Sequence, residues 1–133
     1  MKIERRVFLK WLTTAAAVIT PVLADSRGAN NMYGLIVKMT TASGERDGVI
    51  AILKDSARDM PGCLSYVIAR DSADENVVWI TEVWDSMASH EASLSLASVK
   101  NAISQAKSRI TSVDRIAVTI PVTGVGLKSA QVP

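Results

Sequence analysis

His90 is the only histidine among 133 residues, and so the only side chain whose ordinary pKa places its charge change close to neutrality. It falls in residues 77–96, VVWITEVWDSMASHEASLSL. This stretch leads from a β-branched strand carrying Trp79 and Trp84, through Asp85 and Ser86, into a helix carrying His90. Strand, turn and helix bring an aromatic wall close to the one near-neutral titrating group, so any small-molecule pocket is expected here. Tyr66, on the preceding strand, and Ser93, one helical turn beyond His90, are further candidates to line or polarise it.

The same residues also fit structural roles. His90 lies three residues from Met87 and four from Leu94, on one helical face, as a packing residue would. Trp79 and Trp84 are an odd number of positions apart and point to opposite sides of a strand, so one of them faces away from the pocket. Glu82 sits inside an apolar strand, where a buried carboxylate needs a partner such as Arg70 or Arg115. That reads as structural rather than as general-base work. Cys63, the only cysteine, starts an apolar run after Pro61-Gly62 and reads as a buried, inert thiol. No intrachain disulfide is possible.

The elements that position these residues follow from periodicity. Residues 33–40 (YGLIVKMT) read as a strand, and 43–60 as a helix with Val49, Ile50, Leu53, Ala57 and Met60 in register, capped by Ser43 and ended by Pro61-Gly62. Cys63–Arg70 is a second strand, 71–76 a polar loop and Val77–Trp84 a third, antiparallel to the second if they form a hairpin. Asp85 or Ser86 opens a helix to about Leu96, and Val99, Ala102, Ile103, Ala106 and Ile110 continue helical spacing. Residues 115–122 alternate as a fourth strand, with Pro121 marking an edge or an exit from the sheet. The order is βαββαβ, an α+β, ferredoxin-like four-stranded antiparallel sheet with helices on one face. Both faces of the third strand are too apolar for solvent, so a second copy is expected to pack sheet to sheet as a homodimer.

The chain divides into a signal (1–24), a linker (25–31), one domain (32–127) and a tail (128–133). Four of the 15 Lys and Arg and one of the 13 Asp and Glu fall in the signal, leaving the remainder near neutral at 11 against 12. Such a domain lacks a nucleic-acid binder's basic footprint. The segment Arg5-Arg6-Val7-Phe8-Leu9-Lys10, followed by an Ala- and Thr-rich apolar run, resembles the twin-arginine export motif. Export to the periplasm or beyond, with cleavage after Ala24, is expected. No phosphate loop, Gly-x-Ser-x-Gly elbow or two-histidine cluster is present.

The element order, Met60-Pro61-Gly62-Cys63 leading into a strand, and Glu82-Val83-Trp84-Asp85-Ser86 leading into a helix resemble the antibiotic biosynthesis monooxygenase family. The resemblance covers about residues 32–127. It implies a dimeric α+β barrel that oxygenates a small phenolic or quinol-type aromatic with dioxygen, without metal or flavin. Such chemistry requires deprotonating a phenol in a dry pocket, and so a base matched to the working pH, aromatic walls and hydrogen bonds to the anion. On this resemblance Trp84 matches the family's junction tryptophan and forms a wall. Many relatives carry the helix histidine where this chain has Ser93, so it is by residue type that His90, one turn earlier, is the candidate base. Tyr66, Trp79 and Ser93 are candidates to line or polarise the pocket. Haem-degrading relatives use an asparagine on the first strand, which residues 33–40 lack. The alternative is a non-catalytic dimeric module of the same fold that binds a small apolar ligand.

Overall fold

Apolar residues alternate along the first and third strands, so each has a face that must leave water. The computed structural model describes residues 31–128. The export signal with Arg5 and Arg6, the cleavage point after Ala24, nearly all of the linker and the tail beyond 128 lie outside the described residues. The elements run β1 (Tyr33–Thr41), α1 (Arg46–Ser56), β2 (Cys63–Arg70), β3 (Val77–Trp84), α2 (Met87–Ser93), α3 (Ala97–Ala106) and β4 (Ile110–Thr119). The strands form one antiparallel sheet in the order β2-β3-β1-β4. This is the expected α+β, ferredoxin-like arrangement, with the second crossover made of two short helices. Among the described residues no helix is long and apolar enough to cross a membrane.

Register decides which side chains meet. Leu35, Val37 and Met39 on β1 lie opposite Glu82, Ile80 and Val78 on β3, so all six point to one face. There they pack with Val49 and Leu53 of α1, Ala106 of α3 and Ile110. Burying each large aliphatic side chain contributes about 1.5–3 kcal/mol, and this layer holds sheet to helices. The opposite face carries Ile36, Val67, Trp79, Thr81, Val83 and Ala117, all half-buried or exposed. Val67 remains 52% accessible.

Among the boundaries that differ from the sequence reading, three have a clear local reason. Helix α1 starts at Arg46, not Ser43, because residues 42–45 form a turn in which Glu45 N–H donates to Ala42 O (3.1 Å) and Gly44 takes a positive φ of 78°. Glu45 occupies the N-cap position without a side-chain cap. The helix ends at Ser56 rather than Met60: Ala57 N–H makes the last helical bond, to Leu53 O (3.1 Å), and the Ser56 hydroxyl donates to the same carbonyl (2.9 Å). Strand β4 begins at Ile110, not Arg115. Ile110 fits the helical spacing of α3, but it pairs with Thr41 and is buried as strand. Irregularities between Ile36 and Val37 and between Thr40 and Thr41 insert extra residues on β4, and these break the period of two. As Pro121 suggested, β4 is an edge strand and stops before it.

Candidate active site

Strand alternation puts Glu82 and Trp84 on the helix-facing side of β3. The Trp84 indole Nε1–H donates to Glu82 Oε2 at 2.8 Å, a bond between neighbours on one face that satisfies the buried indole. Immediately after Trp84 the chain turns into α2. Ser86 is its N-cap, accepting from Ser89 N–H at 3.1 Å. Asp85 N–H donates to Gly62 O at 2.9 Å. Gly62 has φ 82°, and a Cβ there would collide with Ser89 and Asp85, so the Pro61-Gly62 turn lies directly against the start of α2. Both attachments fix the rotation of α2, and one turn further on His90 faces the sheet.

His90 is 5% accessible and Glu82 3%. The imidazole sits edge-on to Trp84 (ring centroids 5.4 Å, interplanar angle 75°) and tilted on Tyr33 (5.4 Å, 44°). Its Nε2 lies 3.8 Å from Glu82 Oε2, just outside hydrogen-bond range. Glu82, Trp84, His90, Ser93 and Tyr66 border one apolar cavity whose lining continues over Leu53, Val99, Ala102 and Ile110. The cavity volume is about 40 Å³, enough for a few waters at most. An aromatic substrate requires this space to widen.

Burial reverses the ordinary order of proton affinities. Desolvation pushes Glu82 up to about 7, against the smaller opposing effects of the Trp84 hydrogen bond and the Arg115 charge. Desolvation, helped by Arg115, pulls His90 down to about 4. At neutral pH the imidazole is therefore uncharged and the carboxyl is at its titration point. Burial also raises the Tyr66 and Tyr33 phenols and pushes the Cys63 thiol up to about 11. Cys63 is thus a protonated, half-buried thiol, consistent with a packing role.

The structure brings together four of the five residues singled out from sequence: His90, Trp84, Tyr66 and Ser93. The Ser93 hydroxyl donates to His90 O at 2.6 Å, so it steadies α2 as well as bordering the cavity. Trp79 is not part of the site. It lies on the opposite sheet face, where its Nε1–H donates to Asp71 Oδ2 at 2.7 Å. His90 is in the site, but without the near-neutral proton affinity its residue type suggested; Glu82 has that affinity instead. The signal in the sequence was a carboxylate two residues from a tryptophan inside an apolar strand. Of its two possible partners, Arg70 pairs with Asp47 at 2.9 Å, whereas Arg115 acts on Glu82 electrostatically. Tyr33 was missed, because only the β1–β3 register places it opposite Trp84. Among the described residues no cluster of three or more His, Cys, Asp or Glu could hold a metal ion.

Comparison with known proteins agrees with this fold. Residues 32–105 match the family model for antibiotic biosynthesis monooxygenases. A crystal structure of a candidate antibiotic biosynthesis monooxygenase from Chloroflexus aurantiacus J-10-fl is 54% identical, with a TM-score of 0.71 over 73% of this chain and 99% of that one. Candidates of the same description from Bacteroides thetaiotaomicron (19% identity, TM-score 0.66, 76% and 100% coverage) and Caulobacter crescentus (18%, 0.65, 71% and 92%) share the fold. None of the curated proteins matches the chain. The chain belongs to the antibiotic biosynthesis monooxygenase family.

Proposed function

We propose that the protein is a monooxygenase that uses dioxygen to oxidise a small phenolic or quinol-type aromatic, with no metal or flavin. One observation carries this reading: Glu82 is buried beside an aromatic-walled apolar cavity, with its proton affinity raised to about 7. A base of that strength takes a phenolic proton far more readily than an ordinary carboxylate. The phenolate then passes one electron to dioxygen, and the resulting radical and superoxide combine at ring carbon. Loss of the ring C–H proton and cleavage of the O–O bond release water, so phenol plus dioxygen gives quinone plus water. Glu82 accepts the first proton, neutral His90 orients the hydroxyl, and Trp84 and Tyr66 wall the ring. The carboxylate takes the role that residue type alone had assigned to His90.

In the same reading the chain works as a homodimer through its apolar outer sheet face, and it is exported through the twin-arginine machinery by Arg5 and Arg6. The test is oxygen uptake by purified, metal-stripped protein against dihydroxynaphthalenes and quinols, beside Glu82→Gln and His90→Ala. Uptake above the spontaneous rate, falling about 100-fold or more in Glu82→Gln, supports the reading, general-base catalysis being worth roughly 10²–10⁴. A loss confined to His90→Ala returns the base to the histidine. No uptake on any substrate favours the non-catalytic ligand-binding module.

A further inference from the structure

The cavity beside Glu82 is elongated. On its floor, the strand register sets Glu82 level with Tyr66 of β2 and Leu35 of β1. Met39 lies four residues further along β1, opposite Val113 of β4, and both border the same cavity. At about 3.3 Å per strand residue, the floor from Glu82 to Met39 extends about 13 Å. The roof gives an independent length. Val99, Ala102, Ile103 and Ala106 border the cavity from α3, and their spacing places them on one helical face. From Val99 to Ala106 this face runs about 10 Å at 1.5 Å per residue. The cavity is therefore a slot lying lengthwise under α3, longer than one aromatic ring.

Side chains are sorted along the slot by chemistry. Tyr66, Glu82, Trp84, His90 and Ser93 stand together at one end. The remaining polar neighbour, Ser56, ends α1 on the same side, where the chain leads on to Cys63 opposite Trp84. Toward the other end the border holds neither a ring nor a polar group: Met39, Val113 and Ile110 form the floor, with Ile103 and Ala106 overhead. Ala102 and Ala106 are 7% and 2% accessible. Larger residues at these two buried positions would fill the space between α3 and the sheet, and alanine leaves it open. The slot is also narrow, at about 40 Å³, so added width displaces packed side chains. An aliphatic chain is thinner than a fused ring system and bends to follow the side chains, so it displaces the least.

We propose that the substrate is an amphiphile: a single phenol or quinol ring at the Glu82 end, bearing an aliphatic chain of about six carbons that runs under α3 toward Ile110. The inference rests on the phenol-oxidising reading and names the rest of the molecule that this site takes. The ring lies where Trp84, Tyr66 and His90 offer aromatic faces, with its hydroxyl beside Glu82. The chain lies where only aliphatic groups and the Met39 thioether touch it. Ala102 and Ala106 are then the residues that set chain length, since their small side chains keep the far half of the slot open.

The test is anaerobic calorimetric titration of wild type with 4-alkylphenols from methyl to octyl, beside 2-naphthol. Affinity is expected to rise about two- to fourfold per carbon as far as hexyl and then to level off or fall. At equal carbon number, 4-butylphenol should bind more tightly than 2-naphthol. Ala106→Leu plugs the far end and should lower the ratio of hexyl to methyl affinity about tenfold. Val113→Ala removes bulk at that end and should move the break to longer chains, so the prediction survives a leucine variant that does not fold. Affinity that stays flat from methyl upward overturns the proposal. So does a rise that runs through octyl alike in wild type and both variants, which is adsorption without a slot. Tighter binding of 2-naphthol overturns it in favour of fused rings. A break at hexyl without oxygen uptake on any alkylquinol would sustain the amphiphile as ligand and sink the oxygenase. Oxygen uptake on quinols that chain length does not raise would do the opposite.

Discussion

His90 Nε2 stands 3.8 Å from Glu82 Oε2, both side chains almost wholly withdrawn from water. A few tenths of an ångström separate that contact from a hydrogen bond. The pair is therefore neither a salt bridge nor two independent groups, and its consequences appear first in how stability responds to pH.

Folded Glu82 keeps its proton up to about pH 7, against an ordinary 4.5, so folding takes up a proton in that window and stability falls as pH rises through it. Folded His90 has lost its proton by about pH 4, against 6.5, so its contribution makes stability rise from pH 4 to 6.5. The two oppose each other over their overlap and leave the wild type nearly flat there. Glu82→Gln should unmask the rising limb and His90→Asn the falling one, from pH 4.5 to 7, each by about 3 kcal/mol across its window. Urea unfolding at half-unit pH steps measures both. Identical profiles for all three proteins would contradict the assignment.

Trp84→Phe keeps an aromatic ring beside His90 but removes the donor to Glu82 Oε2. The carboxylate then loses the hydrogen bond that opposes desolvation, so its pKa should rise further above 7. The loss of a buried hydrogen bond to this group should cost about 1–3 kcal/mol. Infrared titration of the protonated-carboxyl stretch would show the shift, and a lowered midpoint would refute the sign.

Ser86→Ala removes the one side-chain cap of a seven-residue helix. A stability loss of about 1 kcal/mol is expected. Because α2 carries His90, ring-current shifts of the His90 protons against Trp84 and Tyr33 should change in the same variant. Unchanged shifts would mean that packing alone orients the helix.

Val67→Asp places a charge on the exposed apolar face. If that face joins two copies, the variant should sediment as a monomer at concentrations where wild type sediments as a dimer, while each monomer keeps its helical circular dichroism. A wild type that is monomeric throughout would remove the homodimer from the proposed function.

Strands β2 and β3 were legible to the residue, because apolar runs bounded by Pro-Gly and by a loop of turn formers leave little freedom. β4 was not, since alternation fails where extra residues are inserted, and Ile110 satisfies a helix and a strand equally well. In the site, Trp84, His90, Tyr66 and Ser93 could be grouped from the order of elements alone. The exchange of proton affinity between His90 and Glu82 could not. It depends on how completely Leu35 and Tyr66, which flank Glu82 from two other strands, shut out water.

The bond from Trp79 to Asp71 has a meaning for association. The same carboxyl accepts backbone N–H groups from Ala73 and Asp74, so the hairpin loop and the indole are held by one residue. The Trp79 bond is the main reason that this carboxyl stays ionised down to about pH 2. The largest ring on the outer face is thus immobilised by the chain's own folding. A surface that meets it has little rotamer freedom left to quench there, and a rigid platform of this kind selects partners by shape more sharply than a mobile one.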